Sequence, residues 1–224
     1  MAERVAFFCG LPGRGKSFLA RTRHLDSPRS LVIDRQPESD YPGLVIDNEK
    51  DLLRFLSKNA DPAKRWRVKY VGPVTPRMVG PVGVVPVDGS FLGAFTMVDR
   101  YLLTVEEADK YGDGTVCPAA FYSIAHHGRV KGQALSLVAR RPANVAKNLT
   151  AVADGVYVFR LGEPADLNYF HGRAVPRDAF NNLGEHGSLR CIYSDAGIPT
   201  WSRCECGNPH LGPCETLDVG PAGR

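Results

Sequence analysis

One short stretch near the start of the chain restricts the possible folds more than any other feature. Val5-Ala-Phe-Phe-Cys9 is an apolar run that predicts a buried strand. Gly10-Leu11-Pro12-Gly13-Arg14-Gly15-Lys16-Ser17 follows at once, and Ser17 to His24 predicts a helix. The stretch fits G-x-x-x-x-G-K-[ST] at every fixed position. Glycines let backbone N–H groups converge on phosphate oxygens, and the following helix offers its positive N-terminus. Lys16 can reach the β- and γ-phosphates and Ser17 can ligate Mg²⁺. Gly10 through Phe18 is therefore the expected nucleotide-binding segment, with ATP and Mg²⁺ as the expected cofactors. A chance Gly/Pro turn would share the composition but would not need a strand before it and a helix after it.

Further apolar runs alternate with helical patterns. Leu31-Val-Ile-Asp34, Trp66 to Val71, Tyr101 to Val105, Ala134 to Ala139 and Gly155 to Arg160 predict strands. Asn48 to Ser57, Ala119 to His127 and Val145 to Val152 predict helices. Strands alternating with helices imply an α/β fold with a mostly parallel sheet covered on both faces. Ligands of such sheets bind at the carboxyl ends of the strands. Residues 72–92 are Pro/Gly-rich and predict a hairpin or a long loop. From about residue 175 the pattern dissolves into Gly, Asn, Pro and Cys. The expected organisation is an ATPase core over 1–175 and a small irregular extension over 176–224.

Tyr101-Leu-Leu-Thr-Val105 ends in Glu106 and Glu107. Beside a phosphate loop, the first acid suits Mg²⁺, directly or through water, and the second suits a base that polarises attacking water. The same two residues would also suit the first turn of a helix. A small-molecule kinase takes its nucleophile from the substrate, so the paired acids favour a hydrolase driving mechanical work.

Phe121 to Gly132, the strand Ala134 to Ala139, Arg140-Arg141-Pro142 and Ala153 to Leu161 extend the pattern. Together with Leu31 to Asp34, Glu38, Tyr41 and the strand Trp66 to Val71, they make residues 4–165 resemble the FtsK/HerA superfamily of DNA-pumping ATPases. The resemblance is nearest to the genome-packaging ATPases of viruses with an internal membrane. It implies a RecA-like P-loop NTPase fold with helices flanking a mostly parallel sheet. The family's first acid is usually Asp, where this chain has Glu106. Its polar sensor before Arg-Pro is usually Gln, where this chain has Arg140.

The resemblance also implies a homo-oligomeric ring, a pentamer or hexamer, whose sites lie between subunits and receive an arginine in trans. Arg129 is the first candidate for that arginine, and Arg140 or Arg141 the second. The implied partners are double-stranded DNA and viral capsid-vertex or membrane proteins, and the implied location is host cytoplasm and virion. No run approaches the roughly 18 apolar residues of a membrane helix. Met-Ala-Glu-Arg runs straight into the first strand, with no signal-peptide pattern. An assembly or secretion ATPase resembling the zonular-occludens-toxin-like phage proteins is an alternative, as is a P-loop phosphotransferase.

The net charge of +4 permits a nucleic-acid partner without demanding one. His126, His127, Arg129 and Lys131 cluster in sequence, as do Lys64, Arg65, Arg67 and Lys69. Such clusters suit phosphate-backbone contact, or simply a solvated face. Cys191, Cys204, Cys206, His210 and Cys214 have the residue types for Zn²⁺, though not the usual C-x2-C spacing. A metal would give this Gly/Pro-rich tail a reason to fold; incidental thiols on a loose tail are the alternative.

Overall fold

In the computed structural model, Val5–Cys9 forms β1 and Lys16–Asp26 forms α1. Every residue of β1 is buried, as its uninterrupted apolar sequence requires for a central strand. The structure describes residues 3–36, 39–73, 78–79, 95, 98–111, 114–171, 175, 177–180, 183, 187–193, 199–204 and 215–216. The remaining elements follow in chain order. They are β2 (Arg29–Ile33), β3 (Leu44–Ile46), α2 (Glu49–Lys58), β4 (Trp66–Tyr70), β5 (Met78–Val79), β6 (Leu102–Val105) and β7 (Cys117–Pro118). Then come α3 (Ala119–His127), β8 (Ala134–Ala139), α4 (Lys147–Thr150), β9 (Gly155–Phe159), α5 (Pro164–His171), β10 (Ser188–Tyr193), β11 (Pro199–Cys204) and β12 (Glu215–Thr216).

The main sheet has ten strands in the order β12-β11-β10-β9-β1-β8-β6-β2-β4-β3. From β9 through β3 all neighbours are parallel. The expected parallel α/β sheet is therefore present, and it is extended on one side by antiparallel β10, β11 and β12. Alternate residues of β1 serve opposite faces. Val5, Phe7 and Cys9 join the larger core, which includes Leu52 of α2 and Phe121 of α3. Ala6 and Phe8 join a smaller core with Ala20 of α1, Val32, Val138 and Tyr41.

Three observations differ from the sequence reading. The helix expected over 145–152 is only Lys147–Thr150. Pro142 opens a 3-10 turn over Pro142–Asn144, and Val145 behind it is extended at φ −84°, ψ 132°. Short β3 and α5 were not predicted. Within 188–204, where no pattern was legible, β10 and β11 form an antiparallel pair docked on β9. Leu189 and Trp201 supply the apolar burial there, both at 0% exposure. Most of the Pro/Gly-rich stretch 72–92 lies outside the described residues; within it, β5 pairs antiparallel with β7. No described helix is long and apolar enough to cross a membrane.

Candidate nucleotide site

Sheet order brings four chain segments to one rim. β1, β8, β6 and β2 are consecutive neighbours, and all run the same way. Gly10, Arg140, Glu106 and Asp34, which directly follow these strands, therefore stand side by side at their carboxyl ends. A cavity of about 670 Å³ opens over them, with Lys16, Ser17, Asp34, Glu106, Glu107 and Arg140 in its wall.

The loop from Gly10 to Gly15 has a conformation that its glycines permit. Gly10, Gly13 and Gly15 have φ of 138°, 71° and 98°. At Gly10 a Cβ would also stand 2.8 Å from Phe159 Cβ, so close packing and backbone conformation both demand glycine. The loop is anchored at its start, where Gly10 N donates to Ala139 O at 3.2 Å and Leu11 N to Arg160 O at 2.8 Å. Gly15 is the N-cap of α1 with no side-chain cap, and no acidic residue occupies the first turn. The helix N-terminus is thereby left to an external anion. Lys16 is 8% exposed, and its Nζ donates to Leu11 O at 2.7 Å. Burial lowers its pKa; the nearby Glu106 carboxylate acts in the opposite direction.

Glu106 faces the same helix start. It is 9% exposed, accepts a hydrogen bond from Tyr41 Oη at 2.6 Å, and hydrogen-bonds Ser17. Burial raises its pKa; the bonds from Tyr41 and Ser17 counter this, and neighbouring Asp34 adds to it. A buried carboxylate beside a hydroxyl is a hard-oxygen donor set that fits Mg²⁺ completed by phosphate and water oxygens. Among the described residues, no group of three or more His, Cys, Asp or Glu could hold a metal by itself. The magnesium fit therefore depends on a bound phosphate.

Glu107 departs from regular strand geometry, with φ 51°, ψ 44° in the left-handed region. Its carboxylate pairs with Lys110 one turn on, yet it still lines the cavity. Glu107 also occupies the N-cap position of the 3-10 helix Ala108–Lys110, without a side-chain cap hydrogen bond. Asp109 in that turn accepts the backbone N–H groups of Arg140 and Arg141, each at 3.2 Å. The Arg140 side chain is exposed and borders the cavity. Arg141 is instead paired at 2.8 Å with Asp166, whose side chain is 2% exposed.

Arg129 lies elsewhere. It sits in the exposed turn between α3 and β8, at the amino ends of the strands. There Arg100 N donates to Lys131 O at 2.8 Å and Ala134 N to Tyr101 O at 2.9 Å. The fold thus puts the length of the strands between Arg129 and its own chain's cavity. His127, Arg129 and Lys131 are exposed together, whereas His126 is half-buried against Asn148 O at 3.0 Å. The second basic cluster is divided, with Lys64, Arg65 and Arg67 exposed and Lys69 buried. Lys69 is 2% exposed with Nζ on Ser39 O at 2.9 Å, and Arg67 donates to the carbonyls of His24 and Leu25.

Asp34 and Tyr41 carry no assigned role in the sequence reading, although both stand in the segment that bears the family resemblance. An apolar strand ending in an acid is the signal for Asp34; nothing local marks Tyr41. Glu38 lies outside the described residues, as do Cys206, His210 and Cys214 and the side chains of Cys191 and Cys204.

No family model and no curated protein matches the sequence. Solved structures do. The genome packaging NTPase B204 from Sulfolobus turreted icosahedral virus 2, in complex with ATPγS, aligns at TM-score 0.63 and 16% identity, covering 90% of this chain and 97% of its own. B204 from Sulfolobus turreted icosahedral virus, a DNA-packaging ATPase, aligns at 0.59 and 14% identity, covering 88% and 96%. The pCW3 conjugation coupling protein TcpA aligns at 0.51 and 12% identity, covering 86% and 58%. This chain shares the RecA-like P-loop NTPase fold of these proteins.

Proposed function

We propose that the chain is an ATPase that moves double-stranded DNA, packaging a viral genome into a preformed capsid. The observation that carries the reading is the convergence of Lys16, Ser17 and Glu106 on one cavity at the carboxyl ends of β1 and β6. The two structurally similar B204 proteins, which package genomes, support the choice of work to which hydrolysis is coupled.

In this reading the N–H groups of the Gly10–Phe18 segment cradle the phosphates, and Lys16 leaves the Leu11 carbonyl for phosphate oxygens. Ser17 and Glu106 would hold Mg²⁺, which supplies charge neutralisation across the β- and γ-phosphates when bound. Glu107 orients the attacking water and takes its proton, exchanging its contact with Lys110 for that task. Arg140, at the end of β8, stabilises charge on the γ-phosphate from within the chain. Arg129 can reach a nucleotide only across a subunit boundary, so its role as the trans arginine requires a neighbouring copy, as in the pentameric or hexameric ring that the family resemblance implies. The exposed turn bearing His127, Arg129 and Lys131 is also the candidate phosphate-backbone contact. Capsid-vertex or membrane proteins would anchor the ring, working in host cytoplasm and virion. Zn²⁺ at Cys191, Cys204, Cys206, His210 and Cys214 remains a proposal for the C-terminal segment.

The test is steady-state ATP hydrolysis with and without double-stranded DNA across a protein concentration series. Stimulation by DNA that rises steeply with concentration is expected. Hydrolysis that is flat in both would overturn the translocase reading while leaving the nucleotide site standing. Turnover that depends on a small phosphoryl acceptor would replace it with a phosphotransferase.

A further inference from the structure

Tyr41 connects the short segment between β2 and β3 to the acid at the end of β6. Its ring is 6% exposed and belongs to the smaller core with Phe8, Ala20, Val32 and Val138. The His24 ring meets it edge-on at 5.5 Å and 87°. The backbone beside it is tied by Lys69, whose Nζ donates to Ser39 O at 2.9 Å; the exposed Asp40 side chain pairs with Arg21 at 3.2 Å. Packing therefore fixes the ring, and the ring fixes its hydroxyl. That hydroxyl donates to Glu106 Oε1 at 2.6 Å and lies 3.4 Å from Ser17 O.

Glu106 needs such a partner. A glutamate side chain has three rotatable bonds, and ordering it costs entropy. Asp34 lines the same cavity and offers Glu106 no hydrogen-bond donor of its own when ionised. A short hydrogen bond from a rigid neutral donor selects one heading for Glu106 without cancelling the charge a cation would use.

We propose that Tyr41 is a positioning residue, whose hydroxyl aims Glu106 at the cation held with Ser17 and thereby sets the Mg²⁺ dependence of nucleotide binding. This rests on the nucleotide reading of the cavity. It assigns Tyr41 no contact with the nucleotide itself.

The experiment measures ATPγS binding to the full chain by calorimetry, with excess Mg²⁺ and with EDTA, for wild type, Y41F, E106Q and Y41F/E106Q. Y41F keeps the ring and its packing, and thermal unfolding of each variant checks the fold. Wild type is expected to bind more tightly with Mg²⁺. Y41F is expected to lose about tenfold of that gain, the worth of one buried hydrogen bond to a charged group, while its affinity in EDTA stays within about twofold. The double variant is expected to match E106Q, because Tyr41 acts through Glu106. An unchanged Mg²⁺ gain in Y41F overturns the proposal, as does an equal loss with and without Mg²⁺. Wild-type protein that binds no ATPγS overturns the nucleotide reading itself.

Discussion

Lys16 folds back onto its own loop, its ammonium 2.7 Å from the carbonyl oxygen of Leu11. The contact keeps a buried cation hydrogen-bonded where a phosphate would otherwise satisfy it, and burial already lowers its pKa. Lys16→Ala is therefore expected to weaken ATP binding by about 100-fold or more, the worth of charge-assisted bonds to two phosphates. Its thermal stability should be unchanged or higher, since a desolvated charge is removed. Equilibrium binding beside a melting curve reads both. Retained binding would remove Lys16 from the site.

Glu107 divides the catalytic reading from the structural one. If it activates water, Glu107→Gln should bind ATP normally and lose about 10²–10⁴ in turnover. If it serves only as the N-cap of the 3-10 helix at Ala108–Lys110, turnover should survive in proportion to stability. Measuring binding and hydrolysis on one preparation separates the two.

Arg129 is at the far end of the sheet from its own cavity, so its contribution should be visible only between chains. Arg129→Ala and Glu107→Gln are each expected to be inactive alone. Mixed, they should regain part of the activity, because some interfaces pair an intact Arg129 with an intact Glu107. A mixture as inactive as its parents would remove Arg129 as the trans arginine.

Gly10 combines a φ of 138° with a Cβ position 2.8 Å from Phe159 Cβ. Gly10→Ala should cost about 1–3 kcal/mol in folding stability, from backbone strain. It should also weaken nucleotide binding by tilting the loop away from Arg160. A denaturant midpoint equal to wild type would show that the loop relaxes freely.

His24 gives the fold an acid-sensitive point. Its ring is buried, Nε2 is hydrogen-bonded to Pro42 O at 2.9 Å, and buried Nδ1 has no partner. Burial lowers its pKa below the ordinary 6.5, the bond to Pro42 opposes this, and Arg67 adds to it. A histidine with a lowered folded pKa contributes stability that is present above its unfolded value and lost as pH falls through the folded one. Melting temperature should therefore drop as pH falls below about 6.5, and His24→Gln should flatten that drop. An equal drop in both proteins would place the acid sensitivity elsewhere.

The linear sequence was sufficient for features carried by contiguous residues. β1, the phosphate loop and α1 are covalent neighbours, and a glycine pattern between an apolar run and a helix has few other folded forms. The alternating apolar strands fixed the parallel α/β class for the same reason, since burial on both faces leaves an uninterrupted hydrophobic signature. The strands of 188–204 escaped because their apolar residues are sparse, and only docking on β9 buries Leu189 and Trp201. The composition of the site belongs to the tertiary structure. Asp34 and Tyr41 share one short segment, but Glu106 is 65 residues beyond Tyr41, and no local pattern joins it to them. They meet because β2 pairs with β6, and because Tyr41, packed in the core beside α1, extends its hydroxyl to the same rim. Placement decided the arginines as well. Lys69 reads as surface charge but is buried on the Ser39 carbonyl, while Arg129 is carried to the opposite end of the sheet. Sequence specifies which groups a chain can offer; strand order and packing decide which of them share a cavity.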